Sequence, residues 1–489
     1  MNQSLIPIVE GFAGLRVMVV GDAMLDVFVR GASTRLCREA PVPVVAQESR
    51  TSAPGGAANT AANAAALGAP VRMLAAAGDD GEAVELRSAL EAAGVDCGGL
   101  LAVPGRRTLT KTRVSAGSQL LLRLDGGTTS PIMEPDDARL AAAVRAAGRE
   151  ADVCIVSDYG YGVVGTRVFE AIAGWRRRGR FLVVDAKDLA RYRELEPDAV
   201  KPNFEEVSRL VSIDAHVLRG RAASESVREL GEEVLRATGA KVAAVTIDSE
   251  GAVAFEPGRP PYRTYATPFA DSRATGAGDT FTAALALALA ARAGTPAAAE
   301  IASAAAGVVV RKEGTCCCAA AELRDALSGG GKVVGDAVRL AQRLSELRRA
   351  GSRTVFTNGC FDIIHSGHVA YLNAAKALGD VLVVGVNSDE SVRRLKGPQR
   401  PINSLADRLQ ILAALSSIDF LIPFEEDSPA KIIEAVRPDV FAKGGDYAGS
   451  EIPEAALVES LGGAVHVLAY VDDRSTTRLI GRIREAAAT

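Results

Sequence analysis

Thr275-Gly276-Ala277-Gly278-Asp279-Thr280-Phe281 (TGAGDTF) decides how this chain is read. Three small residues run into an acid, and the acid runs into an Ala/Leu-rich segment, Thr282 to Ala293. The pattern predicts a tight turn that opens a helix. Glycine lets a backbone come close to a ligand. The first N–H groups of a helix lack internal partners and sit at the positive end of its dipole, so they suit a phosphate. Gly276, Ala277 and Gly278 are therefore the candidate anion hole, and Asp279 the candidate base beside it. Phosphoryl transfer to an alcohol needs that pair. A plain acidic residue in a helix's first turn would be spelled the same way.

The bulk composition narrows the setting. A chain of 489 residues is too long for one core and predicts two or three domains. Hydrophobic residues at 48% and charged residues at 24% are ordinary for a globular protein. A formal charge of −4 carries no footprint for nucleic acid. No N-terminal stretch reads as an export signal, and the most apolar window, Phe281 to Ala291, is too short to span a bilayer. The expectation is a cytoplasmic enzyme with no membrane partner. The seven cysteines, three of them consecutive at Cys316 to Cys318, lack zinc spacing and read as reduced thiols. A redox role for the triple cysteine is the rival reading.

N-terminal to the turn, Arg16 to Gly21 (RVMVVG) reads as a buried strand that delivers Asp22 and Asp26 to its C-terminal edge, where α/β sheets bind ligands. Gly55 and Gly56 precede an Ala-rich helix carrying Asn59, whose amide suits sugar hydroxyls. Thr108 to Val114 and Gln119 to Asp125 alternate around Ser115 to Ser118, a hairpin signal. Lys111, Arg113 and Arg123 ride on it, as phosphate ligands or as a solvated face. Val153 to Ser157 and Phe181 to Asp185 are continuous apolar runs, as in a parallel sheet covered on both faces. Gly160 to Gly165 (GYGVVG) between them has the outline of a dinucleotide fingerprint, but Ser157-Asp158-Tyr159 lengthens the turn. Gly329-Gly330-Gly331-Lys332 lacks the rest of a P-loop and reads as linker. Asn203 is placed to cap the helix after Lys201-Pro202, and Val242 to Thr246 is a further strand, turning at Asp248 to Gly251.

Gly55-Gly56-Ala57-Ala58-Asn59, Asn203 to Glu206 and Gly276 to Asp279, in this order and spacing, resemble the ribokinase-type carbohydrate kinases. The resemblance implies an α/β sandwich with a β lid. It also implies Asp279 as catalytic base, Gly276, Ala277 and Gly278 as anion hole, and ATP with Mg2+ near Glu206. On the ATP side it implies Asn203, Phe204, Glu205, Glu206, Thr246, Asp248 and Gly251. On the sugar side it implies Asp22, Asp26, Gly55, Gly56 and Asn59. Pairing of two copies through the lid, Thr108 to Asp125, is expected as well. The chain departs from that pattern at Arg273, where an acid is usual, and from two-domain proteins of this kind at Tyr161, where Lys is usual, and at Cys316 to Cys318, in place of a Ser/Thr-type stretch.

Past the Gly-rich stretch the alternation of strands and helices begins again. Thr354 to Thr357 leads into Asn358-Gly359-Cys360-Phe361-Asp362-Ile363-Ile364-His365-Ser366-Gly367-His368. Two of the chain's four histidines fall in this HxGH, where both imidazoles can face one point at a helix start. Donors there can stabilise charge growing on a phosphate. Arg393, Arg394 and Lys396 form a basic cluster, and Ser475-Thr476-Thr477 opens the last helix with hydroxyls. These features resemble the HxGH nucleotidyltransferases of the cytidylyltransferase type, a Rossmann-like fold. By that resemblance His365, His368 and Lys396 are catalytic, and Asn358, Gly359, Phe361, Asp362 and Ser475 to Thr477 bind nucleotide.

The two halves in this order resemble the bifunctional heptose 7-phosphate kinase/heptose 1-phosphate adenylyltransferases. The expected layout is 1–328 kinase, 329–350 linker and leading helix, and 351–489 nucleotidyltransferase, with ATP as substrate of both. Open alternatives are another sugar phosphate, CTP in the second half, and a sugar-phosphate sensor with an inactive kinase half.

Overall fold

The computed structural model describes residues 5–117, 119–213, 223–266, 274–328, 332–349, 351–444 and 452–468. Arg273 and Ser475 to Thr477 lie outside the described residues. The chain divides into two compact units, Pro7–Leu323 and the part from Arg324 onward.

In the first unit nine strands form one sheet. Their spatial order is Tyr262–Thr264, Ala252–Phe255, Val242–Thr246, Ala199–Val200, Phe181–Ala186, Val153–Asp158, Val17–Gly21, Val71–Ala77 and Val95–Ala102. Pairing is parallel from Val95–Ala102 through to Val242–Thr246, and the last two strands run antiparallel. The apolar runs read from sequence are these parallel strands. Val17–Gly21 and Val153–Asp158 are buried along their whole length, as a doubly covered sheet requires. Val20 and Val156 share a core with Leu140, Val144, Ile172 and Trp175 from the helices Glu134–Ala147 and Thr166–Arg176. The helix Ala277–Ala290 is buried from Asp279 to Ala288 and packs between Ala57–Ala66 and Thr295–Val310. A helix apolar on all sides has to be enclosed, and its alanines let the neighbours come close.

The hairpin read from alternation is present as Leu109–Ala116 and Gln119–Gly126. It belongs to a larger, four-stranded lid in the order Pro43–Gly56, Ala23–Leu36, Leu109–Ala116, Gln119–Gly126. Asp26 therefore stands inside a long lid strand rather than on a loop after the first strand.

The second unit holds a five-stranded parallel sheet, ordered Phe420–Phe424, Val381–Asn387, Thr354–Gly359, Val440–Gly444, Ala464–Leu468. The chain order reverses at Thr354–Gly359, so the crevice at the carboxyl end of that strand is a switch point suited to ligand binding. The stretch read as linker is integral to this unit from Lys332 on. Val333 bridges to Leu421, Lys332 Nζ donates to the Leu415 carbonyl at 2.8 Å, and the helix Ala337–Arg349 buries Leu340 and Leu344 in the core.

Candidate active sites

The first site is a cavity of about 280 Å³ at the carboxyl ends of the parallel strands. Asp158, Asp185 and Lys201 reach it from strand ends, Asp26, Lys111 and Arg113 from the lid, and Gly276, Gly278 and Asp279 from the helix start. Gly276 has a left-handed backbone (φ +87), and an added Cβ would lie 2.2 Å from Asn59 Nδ2. Only glycine lets the turn close there. At Gly278 a Cβ would lie 3.3 Å from Lys201 Nζ, so a lysine ammonium sits just under the open N–H groups of the helix. Ala277 opens the helix but does not line the cavity with its side chain.

Asp279 is buried, and both its oxygens are engaged. Asn59 Nδ2 donates to Oδ2 at 2.8 Å and the Tyr159 hydroxyl donates to Oδ1 at 2.8 Å. The orientation of Asn59 is set by Asn63, whose Nδ2 donates to Asn59 Oδ1 at 3.0 Å and leaves only the NH2 end to face the acid. Burial pushes the Asp279 carboxyl up to about 6, the Asn59 hydrogen bond opposes this, and Asp185 adds to it. Lys201 pairs with Asp185 at 3.0 Å. Burial works against the Lys201 charge, yet Asp185 and Glu206 outweigh it and hold the ammonium above its ordinary value. Asn203 and Glu206 close a capping box at the helix Phe204–Leu210, and Lys187 Nζ meets Glu206 at 2.8 Å. Burial alone would raise Glu206, but Lys201 and Lys187 more than offset it.

Several expected contacts are placed differently. Asp22 is fully buried and does not line the cavity; its carboxylate accepts the backbone N–H groups of Tyr159, Tyr161 and Val163. It anchors the loop of Tyr159 to Val163. Burial pushes it up to about 6. Asn59, expected on the sugar side, turns its amide nitrogen to Asp279. Gly56 lines the cavity and Gly55 backs onto Asp26. Asp26 lines the cavity, paired with Arg113 at 2.9 Å and accepting from Thr315 at 2.7 Å. On the ATP side, Phe204 is a core residue and Glu205 is exposed. Thr246 bridges to Asn203 at the strand end, and neither it nor Asp248 nor Gly251 lines this cavity.

The GYGVVG segment is the loop wrapped on Asp22. The helix after it has its first N–H groups taken by Asp137, which accepts from Arg167 at 2.9 Å and Val168 at 3.1 Å, so no pyrophosphate seat is open there. Burial keeps the thiols of Cys317 and Cys318 protonated, raised to about 11 and about 12. All seven cysteines are free.

The second site is a cavity of about 540 Å³ lined by Asn358, Gly359, Phe361, His365, His368 and Lys396 among others. The two imidazole rings lie 4.0 Å apart at the start of the helix Ser366–Lys376. Burial lowers His368 to about 4, with His365 and Lys396 adding to the effect. Its Nδ1 is buried without a hydrogen-bond partner among the described residues. Asp362 lines the cavity, but its carboxylate is spent on structure. It accepts the N–H groups of Ile402 and Asn403 and pairs with Arg400 at 2.6 Å. Asp362 thus holds the Arg400–Asn403 loop as Asp22 holds the Tyr159 loop.

Sequence reasoning passed over Tyr159, Asp185, Lys201 and Lys443. Lys443 Nζ donates to Asn358 Oδ1 at 2.9 Å from the next strand end. All four stand at carboxyl ends of parallel strands, the place where such a sheet binds ligands.

Two family descriptions match the chain. Residues 15–322 match the pfkB family carbohydrate kinases and residues 356–480 the cytidylyltransferase-like proteins. Proteins named "Bifunctional protein HldE" match along nearly the full length. The one from Chromohalobacter salexigens is 43% identical over 96% of this chain and 97% of its own, and the one from Caulobacter vibrioides 40% identical over 99% and 100%. The chain belongs to the bifunctional HldE family. It is an enzyme with a carbohydrate kinase unit and a nucleotidyltransferase unit. Among solved structures, phosphofructokinase-2 from Escherichia coli in complex with substrates and products shares the kinase fold, with a TM-score of 0.52 at 20% identity over 64% of this chain and 97% of that one.

Oxygen donors on the kinase cavity wall fit a hydrated Mg2+. Glu206 and Asp185 are both held by lysines, which suits an ion that keeps its waters and rides on ATP phosphates.

Proposed function

We propose that this chain makes two steps of ADP-heptose biosynthesis. The kinase unit moves the γ-phosphoryl group of ATP to the C1 hydroxyl of D-glycero-D-manno-heptose 7-phosphate. The nucleotidyltransferase unit joins AMP from a second ATP to heptose 1-phosphate, releasing pyrophosphate. The observation that carries the first reaction is the Asp279 carboxylate, held by Asn59 and Tyr159 at the mouth of a helix N-terminus. As the C1 oxygen bonds to phosphorus and the bond to ADP breaks, the alcohol proton passes to Asp279. The helix N–H groups and Lys201 face the charge on the moving group. Lys111 and Arg113, reaching in from the lid, suit the substrate's own phosphate. Glu206 would hold Mg2+, which would neutralise charge on the ATP phosphates.

In the second unit the nucleophile is a phosphate oxygen that is already anionic, so the reaction needs positioning and charge stabilisation rather than a base. His365, His368 and Lys396 supply the donors around the α-phosphate. We place the functional boundary at 328, with the adenylyltransferase at 351–489. The seven free cysteines support a cytoplasmic setting. The exposed Leu120, Leu122 and Leu124 on the lid support a homodimer.

The test is mass spectrometry of the products from ATP, Mg2+ and the heptose 7-phosphate. Wild type should give a heptose bisphosphate, and Asp279→Asn should lose roughly 10²–10⁴ of that rate, the worth of a general base. A sugar phosphatase added to wild type should then yield ADP-heptose, which His365→Ala abolishes. A folded wild type that makes no bisphosphate would overturn the sugar assignment.

A further inference from the structure

Tyr159 touches neither the phosphoryl group nor the alcohol in the reaction derived above, yet its hydroxyl donates to Asp279 Oδ1 at 2.8 Å. The tyrosine itself is firmly held. Its backbone N–H donates to Asp22 at 2.8 Å, its ring stacks on Tyr161 with centroids 6.5 Å apart, and the ammonium groups of Lys111 and Lys187 lie 5.2 and 5.9 Å from its ring centroid. Burial, with Asp279 adding, raises the phenol well above its ordinary range, so it stays protonated and can only donate to the carboxylate. Asn59 already fixes the other oxygen. A carboxylate tethered at both oxygens is held in one orientation.

We propose that Tyr159 is a positioning residue of the kinase reaction: through Oδ1 it fixes the orientation of Asp279 and stabilises its ionised form until the alcohol proton arrives. The proposal rests on the reading of Asp279 as base. The other groups facing that acid are Asp185, which opposes ionisation, and Lys201, which favours it, with Thr60 at 3.5 Å. Tyr159 is the close donor to Oδ1, at 2.8 Å against 3.5 Å for the Thr60 hydroxyl on the same oxygen. Removing its hydroxyl should leave the ring, the loop anchor at Asp22 and the stacking in place.

The test uses the full chain as wild type, Tyr159→Phe, Tyr161→Phe and Asp279→Asn. Kinase rates are measured with MgATP and heptose 7-phosphate from pH 5 to 9, and the transferase rate is read beside them. Tyr159→Phe should lower kcat about 10–100-fold, keep KM for ATP within about twofold, and move the acid limb of the profile upward by about one pH unit, because a hydrogen bond to the charged form is gone. Tyr161→Phe should behave as wild type. The same substrates are used throughout, so their own ionisation cancels in the comparison. An inactive Asp279→Asn beside a Tyr159→Phe of wild-type kcat and unshifted limb would overturn the proposal and leave the base intact. An active Asp279→Asn would overturn both. If Tyr159→Phe destabilises the fold, the rate at each pH is divided by the folded fraction read by circular dichroism at that pH, and the corrected limb decides.

Discussion

Burial pushes the Asp279 carboxyl up to about 6 and the His368 imidazole down to about 4, so the two reactions should answer pH differently. Asp279 works as a base only when ionised. Kinase kcat/KM should therefore fall close to tenfold per unit as pH drops below about 6. The substrate phosphate also titrates near 6, so MgATP should be the varied substrate at saturating sugar. His368 changes charge near 4, well below an ordinary histidine, and is neutral from pH 5 to 8. The transferase kcat/KM should show no limb from His368 in that window. A kinase profile flat to pH 5, or a transferase rate tied to a group near 6.5 that His368→Asn removes, would contradict these assignments. At this scale the sequence was legible where chemistry depends on neighbours along the chain: TGAGD spells a turn, a helix start and an acid. It was illegible where the partner comes from elsewhere. Asp22 and Asp362 each follow a strand and read as ligand-facing, yet both are engaged by distant loops, Asp22 by backbone N–H groups and Asp362 by two backbone N–H groups and the Arg400 side chain. Asn59 reads as a sugar ligand until Asn63 is seen holding its carbonyl oxygen.

The parallel strands were the easiest elements to read, because a doubly covered strand must be a continuous apolar run, as Val17–Gly21 and Val381–Asn387 are. The lid was read only in part. Its hairpin alternates, but Ala23–Leu36 and Pro43–Gly56 are half exposed and carry glycine and proline, so period and composition give no strand signal. The lid's edge strand Gln119–Gly126 turns Leu120, Leu122 and Leu124 to one face at 57%, 50% and 54% exposure. An apolar row on an unpaired edge invites a second copy of the same surface. Leu122→Lys should remove one apolar side chain from each of two copies, about 3 kcal/mol or roughly a hundredfold in dissociation constant. Light scattering should show a wild-type dimer becoming monomer, with the transferase rate unchanged. A wild type already monomeric at micromolar concentration would dispose of the lid dimer.

At the scale of the whole molecule, two sites share one chain but not one intermediate. The kinase yields a bisphosphate, and the transferase needs the 1-phosphate alone. Neither reaction as proposed touches the 7-phosphate: one adds a phosphoryl group at C1 and the other joins AMP to the 1-phosphate. On the proposed reading, then, the intermediate leaves, meets a separate phosphatase and returns through solvent. Joining the two activities then brings no transfer advantage at the level of a single chain. An equimolar mixture of Asp279→Asn and His365→Ala, each full length, should make ADP-heptose with added phosphatase at the same rate per intact site as wild type. The measurement is a coupled time course at limiting enzyme and excess phosphatase. A mixture several-fold slower per intact site would mean that the product of one site reaches the other within the same molecule, and that the fusion is more than a shared transcript.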